Sequence, residues 1–258
     1  FKVVSVTENS IIIDPPLPMP VDPAWKPTIM SVPHLMHCVV ENLTFEFEKS
    51  TYPGHLKERG HNAIATSSLV ESIIQNIHTK NADSGIIMGN AGFTTVRKVN
   101  IQGRYMHHPI SLSSCSHSLI EDFVIDAPHR HGTTISWSSH FNVFNRGRGY
   151  ELAMDSHRAC SFRNLHQNIV IEHGESPMQP LRSGGAYGRG LHSARENVYW
   201  NIEHRFPTGG PPFHIKYLDE WPLGVFVGWH GNREIFFKPT LEDQTIERLN
   251  EKPLESLF

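Results

Sequence analysis

Histidine, arginine and aspartate side chains recur in three clusters within one stretch of the chain, residues 107–158. The clusters are His107-His108, His129-Arg130-His131 and Asp155-Ser156-His157-Arg158, and short apolar runs separate them. Histidine exchanges protons near neutral pH, and arginine binds carboxylates or sulfates through a planar fork of donors. Because the clusters return after about one structural repeat, we expect them to stack on one face of a solenoid. Such a row suits acid–base chemistry on a linear, anionic polymer.

β-Elimination at a uronic acid is the chemistry that this residue set favours. A cation neutralises the carboxylate, a base removes the C5 proton, and an acid protonates the leaving oxygen. Neighbouring cations lower the pKa of a buried histidine and so favour the neutral base. The leading trio is His131, His108 and Arg158, with Tyr105 as the candidate acid. The remaining candidates are His129, Asp155 and His157 for catalysis and Lys80, Arg104, Arg130, Trp137, Arg182, Tyr187 and Arg189 for substrate binding.

Other interpretations of the same side chains remain open. A glycoside hydrolase or an epimerase could use the same scaffold, and hydrolysis would need two carboxylates, of which Asp126 and Asp155 are the obvious pair. A metal ion could bind His129, His131, Asp155 and His157, but their spacing matches no specific zinc motif, so we predict no metal and no other cofactor. The cationic side chains could also form a solvated ladder of turns in a non-catalytic glycan-binding or structural protein.

The composition limits the class of partner and the compartment. The chain has 258 residues and a formal net charge of −3, whereas a general nucleic-acid binder is normally basic. It contains neither the run of roughly 18 apolar residues that a membrane span needs nor a signal peptide. The first residues resemble the inside of a strand, so we expect a mature or trimmed fragment of a longer chain. For a polysaccharide partner we expect a secreted, cell-surface or periplasmic protein.

A repeat of 22 to 24 residues predicts the fold. Short β-branched or aromatic runs alternate with turns rich in Gly, Asn, His and Pro, with no helical stretch between them. Helical solenoids lack such strands and a propeller blade needs about 40 residues, whereas a right-handed, single-stranded parallel β-helix fits, with coils about 4.8 Å apart. Polar residues at the head of each run would stack as structural ladders. These residues are Asn42, Asn76, Lys98, Asp122, Asn145, Asn168 and Asn197.

We predict three segments within one structural domain. Residues 1–36 form two short strands and a proline-rich arm over one end of the coils, residues 37–206 form the coils, and residues 207–258 form a returning arm. Proline fixes φ and removes a donor, which favours an extended arm over a sheet interior.

Three stretches depart from the repeat. The polar insertion 48–66 is expected to shape the wall of a groove, because long loops on a rigid scaffold often carry function. The second insertion, 174–190, is expected to form a mobile loop over the groove, with Arg182, Tyr187 and Arg189. The spacing of apolar residues in 241–250 predicts a short C-terminal helix.

The coil pattern resembles the pectate-lyase-like right-handed β-helix superfamily. More narrowly, Asp155-Ser156-His157-Arg158-Ala159 followed by Asn164-Leu165-His166-Gln167-Asn168-Ile169 resembles a group of carbohydrate-associated β-helix proteins, as do residues 11–25 and 241–249. The resemblance implies the fold and a polysaccharide partner. Members of the superfamily include lyases, hydrolases, epimerases and non-catalytic proteins. The Asp-rich calcium motifs of pectate lyases are not evident, so a calcium-dependent mechanism is not expected.

Overall fold

A computed structural model describes residues 1–190, 194–238 and 243–247 of the chain. Contacts within it divide the chain into two compact units, Phe1–Pro33 and His34–Phe258. The strands are β1 (Lys2–Val6), β2 (Ile11–Asp14), β3 (Leu35–Met36), β4 (Val39–Glu46), β5 (Asn62–Ser67), β6 (Leu69–Val70), β7 (Ile73–Lys80), β8 (Ser84–Gly89), β9 (Thr95–Gln102), β10 (His108–Ser113), β11 (Leu119–Ile125), β12 (Thr133–Ser136), β13 (Val143–Tyr150), β14 (Met154–His157), β15 (Leu165–Glu172), β16 (Leu181–Gly184), β17 (Val198–Arg205), β18 (Phe213–Ile215), β19 (Val225–Gly231), β20 (Ile235–Phe237) and β21 (Thr245–Glu247).

Helical structure in the described residues is limited to three short 3-10 helices, Pro23–Trp25, Tyr187–Arg189 and Leu218–Glu220. None of the described helices has the length and apolar character needed to cross a membrane. The first unit contains the antiparallel pair β1 and β2. The prolines that follow leave most of the remainder of this unit without strand structure.

The second unit is a right-handed parallel β-helix, as the repeat predicts. A nine-stranded parallel sheet has the order β21-β19-β17-β15-β13-β11-β9-β7-β4, and a six-stranded sheet has the order β16-β14-β12-β10-β8-β5. A third, narrow row consists of single bridges through Gly92, Ser116, His140 and Phe162. Each coil therefore visits three faces, and all its ladder hydrogen bonds join it to the coils above and below.

The interior of the coils is apolar and closely packed. Ile77, Val99 and Phe123 follow one another along one inward row, and Gly147 takes the next place in the register. A side chain at Gly147 would collide with the Phe123 ring, since a Cβ there would lie 2.0 Å from its Cζ atom. The glycine thus makes the space that the phenyl ring fills. A neighbouring inward row stacks rings, with His166 between Phe144 and Tyr199.

Each of the seven strands β4, β7, β9, β11, β13, β15 and β17 of the nine-stranded sheet contains one non-glycine residue in the left-handed region. These positions have φ between 50° and 57°, a region that Asn and Asp tolerate better than most side chains. Their side chains form an outer ladder, with Asn76 donating to Asn42 over 2.6 Å and Asn201 donating to Asn168 over 2.8 Å. The positions are Asn42, Asn76, Lys98, Asp122, Arg146, Asn168 and Asn201.

Two heads of the predicted repeat, Asn145 and Asn197, are therefore displaced by one and four residues from the true equivalents, Arg146 and Asn201. Asn197 belongs instead to a buried ladder. There the Oδ1 atom of Asn197 accepts from the backbone N–H of Asn164 over 2.8 Å. The Oδ1 atom of Asn164 in turn accepts from the Asn142 side chain over 3.0 Å. The sequence contains two asparagine ladders at different phases, whereas the predicted repeat treats them as one.

The C-terminal part differs from the prediction. The coil stack continues past residue 206, because β19 pairs in parallel with β17, and β21 pairs with β19. The helix predicted for 241–250 is wrong where it can be compared, since Thr245–Glu247 is a strand; most of the rest lies outside the described residues. The open edge of β19 offers backbone partners, whereas an isolated helix of about ten residues is marginal in water.

Candidate functional site

Two stacked turns bring the central histidines together. The step from His107 to His131 is 24 residues, one coil, and the backbone N–H of His131 donates to the carbonyl of His107 over 2.9 Å. Their imidazole rings lie 5.2 Å apart between centroids. The turns lead into β10 and β12, neighbouring strands of the six-stranded sheet. The predicted stacking of these clusters on one face is thus present in the structure.

Asp155 is the centre of the arrangement. In β14 the side chains of Met154 and Ser156 alternate with those of Asp155 and His157, which places the latter pair on the outer face of the sheet. The Oδ2 atom of Asp155 accepts from Nδ1 of His131 over 2.5 Å and from Nε2 of His157 over 2.9 Å. Burial alone would raise the pKa of this carboxyl, but the two histidine donors outweigh it and hold the pKa well below its usual range.

His107 and His108 extend the group. Their rings stack at 4.1 Å, and the ring of His108 stacks on that of His131 at 4.7 Å. The Nδ1 atom of His108 lies 3.0 Å from the Thr134 hydroxyl on the next coil. Burial lowers the pKa of His107 to about 4 and that of His108 to about 2, so both rings are neutral near pH 7.

A loop from the first insertion completes the group. His55 packs edge-on against the His107 ring at 4.8 Å and lies 5.5 Å from the His131 ring. The Glu58 carboxylate lies 3.1 Å from Nδ1 of His107 and accepts a hydrogen bond from the Tyr52 hydroxyl. We call His55, His107, His108, His131 and His157, with Asp155, the histidine cluster.

His55 and Glu58 were missed as site residues, because no repeat spacing links this loop to the coils. The signal was present in the insertion itself, which carries histidine, tyrosine and glutamate side chains on a polar loop. Tyr105, the predicted acid, is 38% exposed, and its ring lies 5.0 Å from that of Tyr52. The loop therefore links Tyr105 to the edge of the cluster.

His129 and Arg158 lie in different surroundings from those predicted. His129 is buried, its Nδ1 atom bonds the Ala127 carbonyl over 2.9 Å, and burial lowers its pKa to about 4. Its place in the turn is structural. Arg158 donates to the carbonyl of Gly190 over 2.7 Å and lies over the Tyr187 ring at 4.7 Å. The guanidinium is thus occupied by the second insertion.

The second insertion also forms an aromatic–arginine rim. Arg189 lies 5.0 Å from the centre of the Trp137 ring, and Arg158 lies 4.7 Å from the centre of the Tyr187 ring. Trp137 is 45% exposed and Tyr187 is 88% exposed, so both rings retain open faces. Arg158, a predicted catalytic residue, and Arg189, a predicted binding residue, therefore pack on two of the predicted binding aromatics.

Three other cationic side chains that were predicted to bind substrate each have a separate partner within the protein. Arg104 is buried in an ion pair with Asp83 over 2.6 Å, and Lys80 pairs with Glu46 on the exposed surface over 2.6 Å. Arg182 donates to the backbone carbonyl of Arg130 over 2.7 Å. Arg104 therefore stabilises a turn, while the exposed Arg130 remains a candidate for contact with a substrate.

Two groups of side chains have the composition of a metal site. His55, His107 and His131 form one, and His131, Asp155 and His157 form the other. In each group the possible ligand atoms lie within 4.8 Å of one another. These are the only such groups of three in the part of the chain that the structure describes.

Comparisons with known proteins add little to this geometry. The sequence matches no protein-family model and no curated protein. Among solved structures, a mutant tailspike protein of E. coli bacteriophage HK620 is similar over 89% of this chain, with 10% identity and a TM-score of 0.39. The chain spans 47% of the length of that tailspike chain. At this similarity the match supports no argument, and the fold assignment depends on the sheet topology alone.

Proposed function

We propose that this protein is a polysaccharide lyase that cleaves uronate-containing glycans by β-elimination, with the histidine cluster as its reaction centre. The observation that carries the proposal is one buried carboxylate, Asp155, that fixes two imidazoles on the outer face of the six-stranded sheet. An acidic partner that orients a histidine fixes its tautomer and leaves the other ring nitrogen free to accept a proton.

The chemistry follows from these positions. One of the two imidazoles held by Asp155, His131 or His157, removes the C5 proton of the uronate. Electrons of the C5–H bond form the C4–C5 double bond, and the bond from C4 to the glycosidic oxygen breaks. Tyr105, at the edge of the cluster, protonates the leaving oxygen. The neutral rings of His107 and His108 limit the water around the reacting atoms.

The aromatic–arginine rim favours a saccharide polymer as the class of substrate. Exposed tryptophan and tyrosine faces offer broad apolar surfaces with polar edges, and Trp137 and Tyr187 have such faces next to arginines. Arginine favours anionic groups such as carboxylates and sulfates. We therefore assign Trp137, Tyr187 and Arg189 to binding of sugar units beyond the cleaved bond. An extracytoplasmic location is part of the same proposal.

Elimination is favoured over hydrolysis by the state of Asp155. A hydrolase needs two carboxylates that act directly on the glycosidic bond or on water. Asp155 is fully buried and accepts hydrogen bonds from two histidines, so it orients other groups instead of reacting itself. Placement in the pectate-lyase-like superfamily is part of the same proposal. The alternative outcomes are an epimerase, which shares only the proton abstraction, and a non-catalytic glycan-binding protein.

The test is an assay for unsaturated uronate by ultraviolet absorbance on alginate, glucuronan, hyaluronan, pectate and ulvan. We expect product from at least one glycan and its loss in His131→Ala and His157→Ala. Arg158→Ala should weaken binding through the rim. His140→Ala, a histidine outside the cluster, is the matched control and should retain the rate. Reducing ends without unsaturated product would indicate a hydrolase, and binding without any product would indicate a glycan-binding protein.

A single glycine is expected to matter because it sets the position of His157. A Cβ atom at Gly184 would lie 2.5 Å from Nε2 and 2.6 Å from Cδ2 of that ring. Gly184→Ala must therefore displace His157 from Asp155, and a displacement of about 1 Å can lower a rate about 100-fold. Initial rates would measure the effect. Gly89→Ala is the control in the same sheet, because its Cβ would meet nothing closer than 3.6 Å; equal rates for the two variants would contradict the assignment.

A further inference from the structure

We propose that His55, His107 and His131 bind one divalent transition-metal ion of the zinc class, through a site with an open position. The binding itself is argued from geometry alone. The role that we give the ion, which is to neutralise the carboxylate of the substrate, rests on the proposed lyase function.

The distances between the three imidazole rings are close to those expected when three histidines bind one ion. Their centroids are 4.8, 5.2 and 5.5 Å apart. With zinc–nitrogen bonds of about 2.0–2.1 Å, each ring centre lies about 3.2 Å from the ion, and tetrahedral ligands then place ring centres about 5.2 Å apart. The ligand nitrogens already lie within 4.8 Å of one another. Rotation of the exposed His55 ring is the main adjustment that closure requires.

Carboxylates orient two of the three ligands. Asp155 accepts from Nδ1 of His131 over 2.5 Å, and Glu58 lies 3.1 Å from Nδ1 of His107. In both rings the other nitrogen, Nε2, is then the one left to bind a metal. A metal-binding histidine almost always donates its second N–H to such a partner, which fixes the ring and raises the basicity of the ligand. Glu58 is itself positioned by the Tyr52 hydroxyl and the backbone N–H of Leu56.

The second group, formed by His131, Asp155 and His157, fits an open site less well. Its carboxylate has only 1% of its surface exposed, and His157 only 8%. An ion there would also replace both hydrogen bonds that Asp155 accepts. The first group keeps every one of these bonds. Because His55 is exposed, the first group also leaves a coordination position on the side of solvent, as catalytic zinc sites with three protein ligands do.

The ion would fill a role that the structure otherwise leaves open. Elimination needs a cation at the uronate carboxylate, and Arg158 is occupied by the Gly190 carbonyl and the Tyr187 ring. A metal ion beside His131 supplies that charge. His131 is then a ligand, and His157, the other imidazole held by Asp155, is the base.

The test is binding of Zn²⁺ and Co²⁺ to the whole chain after removal of metals with a chelator. We expect one ion per chain by calorimetry and a visible Co²⁺ spectrum of tetrahedral intensity. His55→Ala should weaken binding by at least 100-fold and Glu58→Gln by about 10- to 100-fold. His157→Ala and the control His140→Ala should bind as the unaltered protein does. Circular dichroism would confirm that each variant is folded.

Each result distinguishes the site from the function. Equal Zn²⁺ affinity in His55→Ala and the unaltered protein, or no binding at all, would overturn the metal site. If His157→Ala lost Zn²⁺ binding while His55→Ala kept it, the ion would belong to the second group, and the proposal would also be overturned. Unsaturated product from metal-free protein would leave the lyase standing without the ion. If the protein bound one ion but formed no unsaturated product on any glycan, whether or not metal was added to the assay, the result would support the metal site and contradict the lyase function.

Discussion

Replacement of Asp155 with Asn is expected to reduce the rate of glycan cleavage by about 100- to 10,000-fold, the range that a positioned acid–base side chain contributes, because Asp155 positions both imidazoles that could act as the base. The amide keeps the shape of the carboxylate but loses its charge, and it cannot accept from His131 and His157 as strongly. Both imidazoles then lose the partner that fixes their tautomer. Initial rates at saturating glycan would measure the effect, with circular dichroism to confirm the coil stack.

A matched control separates catalysis from stability. Glu151 is also a buried carboxylate paired with a histidine, since its Oε2 atom lies 3.1 Å from Nδ1 of His173. Removal of one partner of a buried pair costs about 3–5 kcal/mol of stability, so Glu151→Gln should lower the unfolding temperature as Asp155→Asn does. Only Asp155→Asn should lower the rate. A similar loss of rate in both variants would mean that Asp155 acts through the fold and not through the two imidazoles.

Replacement of His166 with Phe is expected to stabilise the protein, most strongly in acid. His166 lies in the core between the rings of Phe144 and Tyr199, at 4.6 and 5.1 Å. Neither ring nitrogen has a hydrogen-bond partner, and an unsatisfied buried polar group costs about 1–3 kcal/mol. A phenyl ring would continue the stack without that cost. Urea denaturation at pH 7 would measure the gain.

The dependence on pH gives a second readout. Burial lowers the pKa of His166 to about 3 in the folded state, against about 6.5 in the unfolded chain. As pH falls from about 6.5 to about 3, the unfolded state binds a proton that the folded state does not, and stability is lost at up to about 1.4 kcal/mol per pH unit. His166→Phe should remove this contribution to the dependence of the free energy of unfolding on pH. Equal slopes in His166→Phe and the unaltered protein would contradict the prediction.

The sequence contained enough to predict the fold and the centre of the site. One coil separates His107 from His131, and one coil separates the turn at His131 from the strand that contains Asp155, whose register partner is Thr134. Parallel stacking brings these neighbouring coils into contact. The displaced heads did not affect this result, because Asn145 is displaced by only one residue, and Asn197, displaced by four, follows the central clusters in the chain. The sequence therefore predicted that His107, His131 and Asp155 lie on one face, whereas His129 is buried in its turn and Arg158 extends to a loop.

The features that were not predicted are those without a repeat. The loop that carries His55 and Glu58 reaches the cluster by a path that no spacing encodes. Arg158 has the right phase, but its side chain extends to Gly190 in another loop. The C-terminal strand is determined by the free edge of β19, a tertiary effect that outweighs local helix preference. Periodicity specifies the scaffold, whereas loops and chain ends depend on contacts that are distant in sequence.

The direction of the ladder hydrogen bonds has a mechanical consequence. Each central coil is joined to its neighbours by bonds that run along the stacking axis. A force along that axis acts on one coil boundary at a time, so the stack would unravel in steps, each releasing a coil that spans about 80 Å when extended. A force across the axis would instead shear the ladder bonds of many coils together. A protein of this construction is therefore compliant along its length and stiff across it.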